Sequence, residues 1–426
     1  MSGLLNVDVA IKNILDTITL INHEVIDITD ALNRILAEDI YSDINLPPFA
    51  NSSMDGFAVK AEDVIHATQD SPVQLNIVID IPAGKAPDKT LESGQTARIM
   101  TGAPMPDGAD AVIPVEDTNA DWSNNLESPL NQSVKVFRSV HSGDYVRPIG
   151  EDIQTGELTL KAGMRLRPQE IGVLVALGKS RVRVIRQPRI AIISTGDELI
   201  GVDEALTPGK IRDTNSYTLS GLITNLGGIP IKLPVARDTL DDVRQLFQSA
   251  LTQQPDMIIS SAGVSVGAAD FIRDILRELG QVDFWRINLR PGKPLAYGQI
   301  QGVPFFGLPG NPVSAMVTFH VLVRPALLKM SGQPNTNITI KVITQEDMTS
   351  DGRRSYIRVK LIPKNNQLYA TITGTQSSGA SMSMVLADAL MIIPEEVKEV
   401  KAGTALNALL LKTELLSQLY RDEVTK

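Results

Sequence analysis

Between residues 188 and 331, chemistry-bearing side chains recur directly after apolar, β-type runs. "RIAIIST" is followed by Gly196, Asp197 and Glu198, and "IPIKLPVA" by Arg237 and Asp238. "DMIISSAG" is followed by Gly263, Ser265, Gly267 and Asp270. "RINLRPGKPLAYG" carries Arg286, Arg290 and Lys293, and "VPFFG" runs into Pro309, Asn311 and Pro312. Glycines and helix starts at such points expose backbone N–H groups, which suit phosphate, and the cations add to that preference. The carboxylates would repel phosphate unless a divalent cation stood between them. An oxygen-only donor set points to Mg²⁺. These residue types therefore predict a Mg²⁺-assisted site for a phosphorylated ligand. Each residue also has a plain structural use: Asp270 in a first helical turn favours the helix dipole, Asp238 supports a cap, and glycines make turns.

The elements that must hold them alternate strand and helix. "TNSYTLSGLITNLGG", "TLDDVRQLFQSALTQ" and "AADFIRDILRELG" read as helices between the apolar strands, and "PVSAMVTFHVLVRPALLKM" as a last helix. This series predicts a three-layer α/β/α domain with a mostly parallel sheet, whose ligands bind beyond the carboxyl ends of the strands. Thr239 with Asp242 reads as a capping box. Asn311 reads as the N-cap of the last helix, with Pro312 at its first position, aiming a helix N-terminus at an anion. Elsewhere, residues 4–37 look helical, and "ITDALNRILAEDI" (28–40) reads as a second helix opened by Thr29. Residues 51–140 hold short β-type runs between Gly and Pro, and residues 332–412 read as a small β-barrel or sandwich. The fold class is thus multidomain α/β. The expected divisions are an N-terminal body of 1–50 and 141–187, an inserted β-rich domain of 51–140, the α/β domain of 188–331 and a C-terminal β domain of 332–412.

Composition narrows the function. The 426 residues exceed one core, and the net charge of −9 argues against a nucleic-acid footprint. With no cysteine, disulfides, thiolate nucleophiles, zinc ribbons and iron–sulfur clusters are excluded. The four histidines, His23, His66, His141 and His320, lie far apart, which disfavours a histidine-rich metal site and any Ser-His-Asp arrangement. Asp8 and Asp16 interrupt the first apolar pattern, unlike a signal peptide. No uninterrupted apolar run reaches the length of a membrane span. A cytoplasmic protein without membrane or nucleic-acid partners is expected.

Several motifs also carry a family resemblance. "STGDEL", "SSAGVSVGAADF", "RPGKPLAYG" and "GLPGNPVSA" resemble successive motifs of molybdopterin-binding domains, some of which adenylyltransferases share. "LPPFANSSMDGFAV", "ARIMTGAPMPDGADAVIPVED" and "RPIGEDI" narrow the resemblance to the molybdopterin molybdenumtransferase, or MoeA, family, which includes the E domain of gephyrin. The resemblance implies insertion of molybdenum from molybdate into adenylyl-molybdopterin, release of AMP, and a Mg²⁺ requirement. It also implies an elongated, four-part homodimer, fed by an adenylyltransferase and supplying acceptor molybdoenzymes. By the same resemblance, Asp55, Asp152, Glu198 and Asp238 are the functional acids, with Glu198 and Asp238 candidate Mg²⁺ ligands. Thr101, Gly196, Asp197, Asp270, Arg290, Lys293, Pro309, Asn311, Pro312, Arg354 and Ser378 are candidates for substrate contact, with Gly263, Ser265 and Gly267 on the same strand-exit loop. Two departures are Ala262, where the family usually has Gly, and Ser53 with Phe57, where Ala and Tyr are usual. The alternatives are an adenylyltransferase-like enzyme, which the N-terminal motifs disfavour, or a non-catalytic pterin-binding or scaffold protein.

Overall fold

Strands covered on both faces are apolar at nearly every position, and alternate residues then serve two different cores. The computed structural model describes residues 4–121, 132–261, 269–335 and 337–412. Its central sheet contains β1 (Arg189–Ser194), β2 (Ile229–Lys232), β3 (Met257–Ser261), β4 (Gly280–Arg286), β5 (Pro294–Ile300) and β6 (Val303–Leu308). Their order is β2-β1-β3-β6-β5-β4. β2, β1, β3 and β6 pair in parallel, while β5 and β4 add antiparallel.

Ile190, Ile192, Ile259, Tyr297 and Phe306 face one core, with residues of helices α1 (Val7–Thr17) and α2 (Thr214–Asn225) and of the helical run after β6. Ala191, Ile193, Ile258, Ala296 and Phe305 face the other, with α3 (Leu240–Thr252) and α4 (Ala269–Leu279). The neighbours Phe305 and Phe306 thus serve opposite layers. Phe305 meets Phe247 with ring centroids 5.7 Å apart, and Phe306 meets Tyr297 at 4.9 Å. Burying each such ring stabilises the fold by about 1.5–3 kcal/mol. β4 is not legible in the sequence, because Gln281, Asp283 and Arg286 break its apolar pattern; at the sheet edge these polar residues are tolerated.

After β6 the chain forms α5 (Pro312–Thr318), a π turn (Phe319–Val323) and α6 (Arg324–Met330). By length and composition this 19-residue helix passes as a membrane span, contrary to the reading from uninterrupted apolar runs. Yet 78% of its most apolar stretch is buried in the protein, so it is a core helix. Burial pushes the His320 imidazole down to about 4, leaving it neutral.

The C-terminal strands are β7 (Thr339–Thr344), β8 (Arg354–Lys364), β9 (Gln367–Ile372), β10 (Ala389–Ile393) and β11 (Ala405–Leu410). They run β8-β9-β7-β11-β10, and β10 pairs back to β8, closing a barrel around Val342, Val359, Ala370, Met391 and Ala408. A two-residue strand, Leu289–Arg290, joins the start of β8 in parallel.

These parts belong to one compact unit, comprising Met1–Val25, Asn33–Ala37 and Arg183–Lys426. A second unit comprises Ile26–Leu32 and Glu38–Val182. Its five-stranded sheet orders Ala111–Pro114, Gly56–Val59, Gln95–Ile99, Val73–Ile81 and Ser133–Val136. Of the helical reading over 4–37 only α1 forms, because His23–Asp27 is a strand, and the second helix expected over 28–40 does not form. Ile28–Asp30 makes one 3₁₀ turn, Asn33 takes a left-handed φ of 64°, and Leu36 bridges to Val184 instead. The capping box is also half present: the Thr239 hydroxyl accepts from the Asp242 N–H, but the Thr239 N–H donates to the Arg237 carbonyl. Aspartate is one methylene shorter than the glutamate such a box normally uses.

Candidate active site

Three parallel strands end together in hydroxyls and acids. At the ends of β1 and β3, the buried Ser194 and Ser261 hydroxyls lie 3.1 Å apart. Thr195 follows, buried, with its hydroxyl unpartnered among the described residues. Gly196 then takes φ +149°, and a Cβ there would sit 2.6 Å from Glu198 Oε2. Only glycine lets the Glu198 carboxylate lie against the backbone in this way. The loop is held by the Lys210 ammonium, which donates to the Asp197 carbonyl, and by the Ile211 N–H, which donates to the Glu198 carbonyl at 2.8 Å. The Asp238 N–H donates to Asp197 Oδ1 at 3.3 Å, bringing the third acid to the first two. Burial, then the charges of Glu198 and Asp197, hold the Asp238 carboxyl above its ordinary range. Its Oδ1 is buried and has no hydrogen-bond partner among the described residues. A cavity of about 410 Å³ opens on the same loops, lined by Gly196, Asp197, Glu204, Lys210 and Arg237 among others; neither Glu198 nor Asp238 lines it.

The chemistry of this acidic edge suits a hard cation: Asp238 carries an orphaned carboxylate oxygen and has two acidic neighbours. The described residues offer no ready-made cage of three metal-binding side chains. Asp270 lies in the first turn of α4, beyond β3. Gly263, Ser265, Gly267 and Ala262 lie outside the described residues.

A second cavity, of about 540 Å³, lies between the α/β layers and the barrel. Arg290, Lys293, Arg353 and Arg358 line it with Ser314, Gln376, Ser378 and Tyr356, while Asp347 is the acid in its wall. Arg358 is 1% exposed and burial pulls its guanidinium down to about 10, so it stays charged at neutral pH. The loop after β9 wraps around it: Arg358 donates to the Ser383 hydroxyl at 3.1 Å and to the Ser377 carbonyl at 3.0 Å. Gln376 completes the wrap, accepting from the Arg358 N–H at 3.0 Å and donating to its carbonyl at 3.2 Å. Four cations, the hydroxyl-bearing Ser314, Thr349, Tyr356 and Ser378, and an amide around one cavity are the equipment for a multiply charged oxyanion.

The turn after β6 is tied to α2 on one side and to the barrel on the other. The Asn215 amide, on α2, donates to the Gly310 carbonyl at 2.8 Å. Pro312 occupies the first position of α5, but Asn311 makes no side-chain cap. The Val313 N–H instead donates to the Ser378 carbonyl at 3.1 Å. Part of this helix N-terminus is therefore closed by the barrel rather than open to an anion. Pro309 is buried, and neither it nor Pro312 lines the cavity; both shape the turn.

In the second unit, Asp55 and Thr101 form one hydrogen-bonded group. Asp55 Oδ1 accepts from the Thr101 N–H at 2.7 Å and from its hydroxyl at 2.8 Å. Gly56 is required beside them, since a Cβ would fall 1.9 Å from the Ile113 carbonyl oxygen. Asp152 is exposed on a loop whose N–H donates to the Leu46 carbonyl at 2.9 Å.

Three family models cover almost the whole chain: the MoeA N-terminal region (domain I and II) over residues 5–178, the probable molybdopterin binding domain over 191–329, and the MoeA C-terminal region (domain IV) over 341–411. A molybdopterin molybdenumtransferase of a Nostoc species is 36% identical, over 87% of this chain and 85% of its own. That of Haemophilus influenzae is 35% identical, over 89% and 92%. The chain belongs to the MoeA family. Two solved molybdopterin biosynthesis MoeA proteins from Pyrococcus horikoshii superpose with TM-scores of 0.82 and 0.78, at 34% and 30% identity, over 96% of this chain and all of theirs. This MoeA-family member is a transferase of molybdenum cofactor biosynthesis.

Arg354 does not line the cavity; both its Nη atoms lie 2.6 Å from Asp8. The cavity is lined instead by Arg353 and Arg358, which the motif reading passes over. Strand alternation could not have chosen between Arg354 and Arg358: it sets Arg358 on the face of the buried Tyr356 but sets Arg354 there as well.

Proposed function

We propose that this protein inserts molybdenum from molybdate into the dithiolene of adenylyl-molybdopterin and releases AMP. The observation that carries this reading is the cavity where Arg290, Lys293, Arg353 and Arg358 converge with Ser314 and Ser378, which suits a tetrahedral dianion such as molybdate. The acidic edge after β1 is the place for the phosphate bridge. Glu198 and Asp238 would hold Mg²⁺, which when bound offsets the bridge's negative charge and polarises its phosphoryl oxygens. Asp197 keeps the Asp238 backbone in place, and Lys210 fixes the Asp197 carbonyl, so the acids are set before substrate arrives. Asp55, held by Thr101, and Asp152 are the second unit's acids for the same reaction, and a homodimer belongs to the same family-based proposal.

The test is direct. Purified protein with Mg²⁺, molybdate and adenylyl-molybdopterin should release AMP and yield molybdenum-loaded cofactor. Binding of the adenylylated pterin without AMP release would make the protein a carrier. Formation of adenylyl-molybdopterin from ATP would make it an adenylyltransferase.

A further inference from the structure

The N-terminal segment is stitched into the junction between the α/β layers and the barrel. Asn6 caps α1, its Oδ1 accepting the N–H groups of Asp8 at 2.9 Å and Val9 at 3.2 Å, while its amide donates to Glu395 Oε2 at 2.8 Å. The Asn288 N–H donates to the Leu5 carbonyl at 2.8 Å, and the Arg354 N–H to the Asn288 carbonyl at 3.2 Å. Asp8 then grips Arg354 with both carboxylate oxygens, and Glu395 Oε1 stands 3.7 Å from Arg354 Nε. Bidentate guanidinium–carboxylate geometry is the case in which a partly exposed ion pair counts.

What this clip holds is the support of two anion-facing arginines. Leu289 pairs with Arg354 and Arg290 with Ser355, a ladder of only two residues. Arg353 Nη1 donates to the Leu289 carbonyl at 3.1 Å. Asp351 Oδ2 accepts from Arg353 Nε at 3.0 Å and stands 3.9 Å from Arg290 Nη1. Arg290 and Arg353 thus flank the very segments that Asp8 fastens. Asp8 does not line the cavity.

We propose that Asp8 is a positioning residue for the oxyanion cavity: by clamping Arg354 it fixes the short junction from which Arg290 and Arg353 face the anion. This rests on the reading of that cavity as the molybdate site. The Asp8 side chain is 71% exposed, so its replacement leaves the core intact.

The test measures molybdate binding to the full chain by calorimetry, with turnover alongside. Asp8→Asn should weaken molybdate by about three- to tenfold, raising KM more than it lowers kcat, with at most the small fall in melting temperature that losing a surface ion pair brings. Asp8→Glu should recover most of the affinity. Unchanged affinity in Asp8→Asn would overturn the proposal, as would equal loss in both variants with a matching fall in melting temperature. If the unsubstituted chain binds no molybdate, the cavity reading itself fails and the proposal with it.

Discussion

Asp238 combines three properties rarely left uncorrected in a fold: a buried oxygen without a partner, two acidic neighbours, and a carboxyl held above its ordinary range. Because its folded pKa lies above the unfolded one, its ionised form costs stability at neutral pH, and protonation or loss of charge relieves that cost. Asp238→Asn should therefore raise the melting temperature while lowering AMP release by about 10²-fold or more. Added Mg²⁺ should raise the melting temperature of the unsubstituted chain more than that of the variant; an equal response would remove Asp238 from the metal site. That Glu198 and Asp238 share an edge was legible because residues just past strands are constrained there whatever the details of packing; Lys293 stood in a strong motif, and Ser378 in a weaker one. Arg358 was not, because a strand arginine is normally solvated and nothing local announces that the loop at 375–378 will fold over it. The doublet Arg353–Arg354 likewise hides which member faces the cavity, since that depends on Asp8, more than 340 positions away.

Elements with long, regular patterns matched their readings: the parallel central strands, α2 to α4 and the barrel strands lie where apolar spacing puts them, whereas only Val7–Thr17 of the helical reading over 4–37 forms α1. The misses occurred where local preference met a stronger tertiary demand. Residues 28–40 carry helical spacing, yet Leu36 is buried against Val184 and Asn33 turns the chain. Asn311 has the right type for a cap, but the barrel's Ser378 supplies the acceptor by its backbone. Asn311→Ala should consequently cost less than the roughly 1 kcal/mol typical of losing a side-chain N-cap. A larger loss in chemical denaturation would show that the asparagine side chain stabilises the turn after all.

Across the whole molecule, acid stability should follow the paired carboxylates. Arg167 holds the Glu170 carboxyl down to about 2, and arginine partners likewise lower Asp8 and Asp351. Groups with depressed folded pKa values contribute stability that is complete above their unfolded range, near about 4. That contribution drains away as the pH falls through the folded values. The melting temperature should thus decline from about pH 4.5 toward pH 2, and Glu170→Gln should flatten that decline while lowering the plateau. An unaltered profile would mean that the pair is equally formed in the unfolded chain.

The hydrogen bond from Val313 to Ser378 also bears on how such proteins can be recombined. A barrel exchanged with that of a relative would bring its own loop backbone to a helix start shaped for another loop. The strands would still close, because their ladder is self-contained, but the anion cavity would inherit mismatched walls. Residues 311–314 and 375–378, remote in the chain, form a single heritable cassette, and chimeras that split it should fold yet bind oxyanions poorly.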